Sequence, residues 1–452
     1  MKLEGKALEM RSLPARRRVT KYRVIRTKGE TFPDGTILEP ITNDSQTEPL
    51  QLVLWNGSEA TVGKRFKIGE KIYAVAHIDP STRRAIYFPG HARTSPSPGD
   101  LDRELKKLIS RYSYVPEKQL ILLTGFTLAT WFSTNFLTAP WLSIFGSDRA
   151  AGTQLLRLLH CLCRRAIRII EPSVATVSNL PRGWGFTLLV HTPQISRQVQ
   201  RLIEAVRPRE SFLPRRGRLL QMYSPIVTLT DGPCSLNPRM QSAIEISAMP
   251  DRSPRERLSQ EAAEQIAADF QPLLLGYYLA MQRTVKNSDV ATVGLSFRIG
   301  EMYENLAACT PNDYQLQTEL LSALKEQDEV SRMTRSTETD VVIIESLLSF
   351  CHEGTPCVYV GDVTDTALDI LEQRGGDPSL SPHEVGGRIR LMQLQIEPRD
   401  GRGFRVKLTE TTIRQIHKLA LDHDVPAMQG EITRCDYCRE LMRVASQIAT
   451  GE

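Results

Sequence analysis

An uncharged stretch from residue 119 to residue 147 constrains the fold more than any other feature of this sequence. It is long enough to span a bilayer, so a membrane helix is one interpretation. The stretch also contains Asn135, Pro140, two glycines and several hydroxyl side chains, which favour a second interpretation. We predict a buried helix at 120–137, a turn at Pro140 and a short buried strand at 141–145.

Two further apolar runs continue this pattern of buried strands. Residues 186–190 and 225–229 each predict a short buried strand, and residues 154–167 predict a helix that follows the first strand. Strands that alternate with helices are typical of an α/β fold with a parallel sheet. We therefore expect an α/β core with a parallel sheet over residues 99–250.

The regions on either side of this core differ from it in character. A chain of 452 residues favours about three domains. The Pro- and Ser-rich residues 94–99 predict a linker. The segments that we predict are a basic arm (1–30), a small β-rich N-terminal domain (31–98), the α/β core (99–250), a helical region (251–338), a C-terminal domain (339–425) and a tail (426–452).

Positive charge is concentrated at the N-terminus. The whole chain carries 57 lysines and arginines against 52 acidic residues, a net charge of +5. Residues 1–26 contain nine basic and two acidic side chains, which leaves +7 in this short arm. Such an arm suits a polyanion, and Arg16, Arg17 and Arg18 are candidate nucleic-acid contacts. A solvated tail is the alternative.

The cysteines predict reduced thiols. Eight irregularly spaced cysteines in 452 residues are too few for a disulfide scaffold, and no apolar signal segment follows the basic N-terminus, so we expect a cytoplasmic protein. Cys435 and Cys438 form a CxxC pair, to which Cys351, His352 or Cys357 could add zinc ligands. Because a CxxC without a second paired motif is a weak signal, we predict no metal site.

The segment after the first buried strand has the framework of a phosphate-binding P-loop. A buried strand, a loop from Gly146 to Thr153 and an apolar helix follow one another, as in the motif G-x-x-x-x-G-K-[ST]. The second glycine position holds Ala151, and the lysine position holds Gly152. We therefore expect a degenerate P-loop in which Gly146 and Thr153 are the remaining cofactor-binding candidates.

The next core strand lacks the acids of a P-loop enzyme. Such enzymes hold Mg²⁺ with a carboxylate, whereas residues 186–190 are followed by His191 and Thr192. Imidazole is a poor ligand for Mg²⁺, which prefers oxygen. We expect no bound ATP or Mg²⁺ and assign no catalytic residue. An active enzyme that recruits Arg149 or a neighbouring subunit for the missing charge is the alternative.

The run from Leu101 to Leu159 resembles the ATPase domain of phage- and plasmid-borne replicative helicases and primase–helicases. The likeness lies in the aromatic centre of the apolar helix (Thr130-Trp131-Phe132), the proline before the strand (Ala139-Pro140-Trp141) and the leucine-rich helix at 155–159. It extends over about residues 100–250. The resemblance implies a P-loop NTPase-like core, and the altered motif positions imply that the ATPase activity has been lost.

Residues 339–425 predict helix, strand, helix, helix and hairpin in that order. Ser381 and Pro382 are typical of a helix start, and Glu384 completes a capping box. This order is that of a winged helix. The segment resembles the winged-helix domains appended to the same replicative helicases.

The winged-helix segment is basic. Residues 381–418 contain eight basic and four acidic side chains, a net charge of +4. A winged helix reads DNA with its recognition helix and its hairpin, so basic residues there are candidate contacts. A winged helix used for protein contacts is the alternative. The candidate nucleic-acid contacts are Arg388 and Arg390 in the recognition helix and Arg399, Arg402 and Arg405 in the hairpin.

Together these features predict a nucleic-acid-binding accessory or regulatory protein, linked to DNA replication or to a mobile element. We expect double-stranded DNA and an active helicase or another replication protein as partners, and no membrane. One alternative is a divergent but active DNA-dependent ATPase or helicase. The second is a protein-interaction adaptor, which would lack salt-sensitive DNA binding.

Overall fold

The computed structural model describes residues 23–42, 49–146, 148–170, 172–181, 183–215, 218–232, 243–248, 255–285, 295–423, 425 and 435–440. The chain divides into two units, Met1–His77 and Ile78–Glu452, and each is described by itself. The predicted contacts Arg16, Arg17 and Arg18 lie outside the described residues, as does most of the predicted tail.

Short strands build the N-terminal unit, which confirms the predicted β-rich region. Its described strands are β1 (Val24–Thr27), β2 (Glu30–Thr31), β3 (Ile37–Ile41), β4 (Gln51–Trp55), β5 (Ala60–Gly63), β6 (Arg65–Ile68) and β7 (Lys71–Val75). They form two sheets, in the orders β2-β3-β4-β5 and β1-β7-β6, around buried Leu38, Leu52 and Tyr73. β1 lies within residues 1–30, which the sequence analysis assigned to a basic arm. The end of that arm therefore belongs to the β-rich unit, where the backbone of β1 pairs with β7.

The second unit begins with the helices α1 (Pro80–Arg84), α2 (Pro98–Tyr112) and α3 (Glu117–Trp131). The predicted linker at 94–99 runs into the first turn of α2, because the Ser97 hydroxyl accepts a hydrogen bond from the Asp100 N–H at 3.1 Å and caps the helix. α3 spans 15 residues and is buried along nearly all of its length. Among the described residues no helix is long and apolar enough to cross a bilayer.

Five strands form the central sheet. The elements of this region are β8 (Trp141–Phe145), α4 (Arg149–Leu162), β9 (Ala166–Ile169), α5 (Val174–Ser178), β10 (Thr187–His191), α6 (Arg197–Val206), β11 (Phe212–Arg215), β12 (Arg218–Gln221), β13 (Ile226–Thr230) and β14 (Ile244–Ser247). The sheet order is β14-β8-β13-β10-β9, and all neighbouring strands are parallel. β11 and β12 form a separate antiparallel hairpin.

The interior strands of the central sheet explain the apolar runs in the sequence. β8, β10 and β13 are buried along nearly all of their length. A strand covered on both faces needs apolar or small side chains at successive positions rather than at every second one. This five-stranded parallel sheet confirms the predicted α/β class.

Three helices follow the sheet, and each of them packs on α3, which precedes it. They are α7 (Gln260–Met281), α8 (Phe297–Ala308) and α9 (Tyr314–Arg335). α7 packs on α4, and α9 packs on α3 and α8. The predicted helical region at 251–338 is therefore helical wherever the structure describes it, apart from short connections.

The C-terminal domain combines helices with a small antiparallel sheet. Its elements are α10 (Thr339–Glu353), β15 (Cys357–Tyr359), α11 (Val360–Gln373), α12 (Pro382–Leu391), β16 (Ile396–Asp400), β17 (Gly403–Lys407) and α13 (Glu410–Asp422). The strands pair in the order β15-β17-β16. Ile344, Leu347, Val363, Ile389 and Val406 belong to one buried core that joins the helices to this sheet.

Candidate functional site

The carboxyl ends of three interior strands meet at one edge of the central sheet. The residues that follow these strands are Gly146 after β8, Thr192 after β10 and Asp231 after β13. In open α/β sheets ligands bind beyond the carboxyl ends of the strands. This edge is therefore the place where a P-loop core would hold its nucleotide.

The connection between β8 and α4 is shorter than a P-loop. The sequence predicts a loop over 146–153, but α4 begins at Arg149. The helix begins early because the Asp148 carboxylate accepts hydrogen bonds from the N–H groups of Ala150 (2.9 Å) and Ala151 (3.1 Å). In a P-loop, amides at this end of the helix face phosphate oxygens. In this protein two of these amides, those of Ala150 and Ala151, already donate to the negatively charged Asp148 carboxylate.

The glycines of this segment have a packing role. Gly146 has a φ of +154°, and a Cβ there would lie 2.2 Å from the carbonyl oxygen of Ala248. A Cβ on Gly152 would lie 2.5 Å from Leu229 Cδ1. The close approach of Ala248 and Leu229 therefore gives both glycines a packing reason. Thr153 lies half-buried in the second turn of α4.

Arg149, the charge that an active enzyme would recruit, is paired within the protein. Its Nε and Nη2 donate to the two carboxylate oxygens of Asp231 at 3.1 and 2.8 Å. The hydrogen bond from Arg149 lowers the pKa of Asp231, and the positive charge of Arg149 adds to the effect. A phosphate at this edge would have to compete with Asp231 for the guanidinium group. The two residues are 82 positions apart, so the sequence does not reveal their pairing.

Two of the five arginines predicted to contact nucleic acid in the C-terminal domain are paired with acids. Arg388 Nη1 lies 3.1 Å from an Asp340 carboxylate oxygen. Arg405 Nε donates to Glu397 at 2.7 Å, and Lys407 Nζ lies 2.7 Å from the other oxygen of Glu397. These hydrogen bonds lower the pKa of Glu397. The local charge at Arg388 and Arg405 is therefore balanced in the folded protein.

The other three predicted arginines lie around the turn between β16 and β17. Arg390 is centred 5.5 Å over the ring of Phe404, and Arg402 is centred 5.3 Å over the ring of Tyr359. Arg399 is exposed near the same turn. Within the described part of the chain, none of the three arginines has a carboxylate at salt-bridge distance. Tyr359 pairs with Arg405, the neighbour of Phe404 in β17, so the two rings lie on opposite faces of the small sheet. We call Arg390, Arg399, Arg402, Tyr359 and Phe404, which surround the hairpin tip on both faces, the hairpin-tip patch. The sequence analysis missed the two aromatic members, although aromatic residues beside the hairpin arginines were a usable signal.

Comparison with known proteins gives no family assignment. No family model and no curated protein matches the chain. The apo C-terminal region of NrS-1 is 10% identical with a TM-score of 0.33, over 82% of this chain and 96% of that one. Cdc6p from Pyrobaculum aerophilum is 14% identical with a TM-score of 0.20, over 69% and 97%. A chain of the Drosophila ORC structure bound to DNA is 12% identical with a TM-score of 0.19, over 72% and 94%.

Proposed function

We propose that this protein binds double-stranded DNA through its C-terminal domain and that it acts as an accessory protein without ATPase activity. The observation that carries the proposal is the hairpin-tip patch. The guanidinium groups of its three arginines have no carboxylate at salt-bridge distance in the described part of the chain, and two of them lie over aromatic rings. The acidic side chain beside them, Asp400, accepts hydrogen bonds from the Arg402 backbone N–H and the Tyr359 hydroxyl. The resemblance of the sequence to replicative helicases supports a role in replication or in a mobile element, beside an active helicase.

The order of elements in the C-terminal domain supports a winged helix. In this interpretation α12 is the recognition helix and the β16–β17 hairpin is the wing. The Ser381 hydroxyl caps α12 by accepting from the Glu384 N–H at 3.3 Å. Arg390 near the end of α12 reaches Phe404 on the hairpin, so this pair lies where helix and wing meet. A helix of this size fits the major groove of B-DNA.

The chemistry of the patch favours nucleic acid over a protein partner. A guanidinium group over an aromatic face keeps its N–H donors free for phosphate oxygens or base edges. Phe404 is 43% exposed and offers a surface that a base or sugar can contact. A protein partner would need carboxylates at the same positions and would not give the steep salt dependence of phosphate contacts.

The salt dependence of DNA binding tests this proposal. We expect the full chain to bind a short labelled duplex with an affinity that falls steeply between about 50 and 200 mM salt. The Arg390→Ala/Arg402→Ala variant should bind about 10-fold more weakly at low salt. It should also show a smaller slope of log affinity against log salt, by about 2, because two phosphate contacts are lost. Fluorescence anisotropy measures both quantities.

The matched control removes two arginines that already have acidic partners. The Arg388→Ala/Arg405→Ala variant changes the net charge by the same amount and should keep most of the affinity of the wild type. If this control variant loses as much DNA affinity as the Arg390→Ala/Arg402→Ala variant, the hairpin-tip patch is not the contact surface. Binding that does not respond to salt would instead support the adaptor alternative.

Two observations support the absence of ATPase activity. The Asp148 carboxylate accepts hydrogen bonds from two amides that would face phosphate in a P-loop. The Asp231 carboxylate forms an ion pair with Arg149. The loss of one charge that stabilises the transition state typically costs a factor of about 10³–10⁵ in rate. Neither a P-loop lysine nor a carboxylate after β10 is present in the sequence to replace them.

Thermal unfolding with Mg·ATP tests this part of the proposal. A ligand at 100 times its Kd stabilises a protein by about 2.7 kcal/mol, which would raise the Tm by several degrees. We expect the Tm of this protein to be the same with and without millimolar Mg·ATP, and no ATP turnover with or without DNA. DNA-stimulated turnover that Thr153→Ala abolishes would contradict the proposal and favour the active-ATPase alternative.

A further inference from the structure

Two histidines and two cysteines converge at the end of the C-terminal domain. His352 lies in the last turn of α10, and His417 lies in α13. Cys435 and Cys438 belong to the segment 435–440, of which residues 436–440 are helical. One ligand atom from each of the four side chains lies within 4.8 Å of the other three. We call these four residues the His/Cys cluster.

Two of the six distances between these ligand atoms fit one tetrahedral metal ion, and the other four are no longer than 4.8 Å. Zn–S bonds of about 2.3 Å and Zn–N bonds of about 2.0–2.1 Å place tetrahedral ligands about 3.3–3.8 Å apart. His417 Nε2 lies 3.3 Å from Cys435 Sγ, and His352 Nε2 lies 3.4 Å from Cys438 Sγ. Both distances match the edge of such a tetrahedron.

His417 is already oriented as a metal ligand. Its Nδ1 lies 2.8 Å from the carbonyl oxygen of Ile413, which can only accept a hydrogen bond, so Nδ1 carries the proton. The lone pair of Nε2 therefore points at the cluster. A hydrogen bond of this kind to the second ring nitrogen is typical of histidines that bind zinc. The Tyr437 ring, 5.5 Å away, packs against the imidazole.

The surroundings of the cluster are those of a structural site. His417 and Cys438 are each only 1% exposed, and Cys438 is part of the hydrophobic core that α10 and α13 share. Cys435 packs against the same core, whereas His352 reaches solvent. Four protein ligands leave no open position for substrate, which is the arrangement of structural zinc. Two thiolates with two imidazoles select Zn²⁺ among the common divalent ions.

The structure changes the ligand set that the sequence suggests. Of the residues predicted as partners for the CxxC pair, only His352 joins it. Cys351 packs against the hydrophobic core, and Cys357 begins β15. The remaining ligand is His417, which the sequence analysis did not single out. The expectation of no metal site rested on the missing second pair, and α10 and α13 supply that pair from distant parts of the chain.

The geometry points to a structural Zn²⁺ site formed by His352, His417, Cys435 and Cys438. The metal ties the segment 435–440 to α10 and α13. It thereby links the chain beyond the winged-helix elements to the core of the C-terminal domain. This inference does not depend on DNA binding, because no member of the hairpin-tip patch is a ligand.

Metal analysis of the full-length protein tests the site. After purification in reducing buffer and dialysis against metal-free buffer, we expect about one Zn²⁺ per chain by mass spectrometry of the metal content. The Cys435→Ser/Cys438→Ser variant should contain at least fivefold less zinc. The control is Cys357→Ser, which removes a cysteine of the same domain outside the cluster and should keep the full content. His417→Gln is a second variant that leaves both thiols in place.

Cobalt provides a readout of geometry that does not require a folded variant. Replacement of Zn²⁺ by Co²⁺ in the wild-type protein should give the intense visible absorption of a tetrahedral site and sulfur-to-metal charge-transfer bands. Three results would overturn the inference. The first is wild-type protein that contains no zinc and gives no tetrahedral cobalt spectrum. The second is a His417→Gln variant whose metal content is undiminished. The third is metal-free protein, purified in reducing buffer, whose intact mass shows a Cys435–Cys438 disulfide.

Discussion

Replacement of Gly146 by alanine should lower the free energy of unfolding by about 2–4 kcal/mol. The φ of +154° at Gly146 is a conformation that residues with a Cβ rarely adopt. The added Cβ would also lie 2.2 Å from the carbonyl oxygen of Ala248, so the chain after β8 or after β14 would have to move. Denaturant unfolding monitored by tryptophan fluorescence measures the change, because Trp131, Trp141 and Trp184 are buried in this unit.

The same substitution at Gly387 is the matched control. Gly387 lies within α12, and a Cβ there has nothing within 4 Å. Alanine should therefore raise the stability of the C-terminal domain by about 0.5–1 kcal/mol, since glycine is a poor helix former. Hydrogen exchange of α12 measures this gain, because the domain has no tryptophan. An unchanged unfolding midpoint for Gly146→Ala, with a loss of nucleotide binding in its place, would assign Gly146 to a phosphate site rather than to packing.

Removal of the Arg374 side chain should have the second large effect, a loss of about 2–4 kcal/mol in the C-terminal domain. Arg374 follows α11, and its two Nη atoms donate to the two oxygens of Glu345 on α10, both at 2.7 Å. Nη1 also donates to the Ser336 carbonyl at 2.8 Å. Arg374→Ala would leave the Glu345 side chain, which is 11% exposed, charged and without this partner. The C-terminal domain has no tryptophan, so hydrogen exchange of its helices is the suitable measurement.

Arg388→Ala is the control for this pair. Arg388 also reaches α10, through Asp340, but the two side chains are 42% and 37% exposed. Its removal should cost no more than about 1 kcal/mol, because water screens an exposed ion pair. The Glu345→Leu/Arg374→Leu variant should recover most of the stability that Arg374→Ala loses. Equal effects of Arg374→Ala and Arg388→Ala would show that burial does not distinguish the two pairs.

Much of the fold was predictable because it depends on neighbours in the chain. The apolar runs at 141–145 and 186–190 correspond to interior strands, since both faces of these strands are covered. Ser381 and Pro382 begin α12 as predicted, because capping is a local hydrogen bond. The early start of α4 at Arg149 was missed, although Asp148 is a typical N-cap residue and was the signal for it.

The predicted site residues fared differently, because their roles depend on contacts across the fold. Gly146 stays a predicted cofactor contact, and the structure adds a packing reason for the glycine, the approach of Ala248 from beyond β14. Nothing in the local sequence announces that contact, which arises when β14 pairs with β8. The prediction that Thr153 contacts a cofactor stays a prediction, for which the ATP experiment is the test.

By itself the sequence determined where the strands and helices form and where positive charge is concentrated. Only the tertiary structure decided which of those positive side chains are paired with an acidic side chain and which are not. Arg388 meets Asp340 from 48 positions away, whereas Arg390, two residues further on, rests over Phe404. Likewise His417 and Cys435 meet although 18 positions separate them. The reason is physical: helix and strand formation depends on adjacent residues, whereas ion pairs and metal ligands depend on distances of a few ångströms in space.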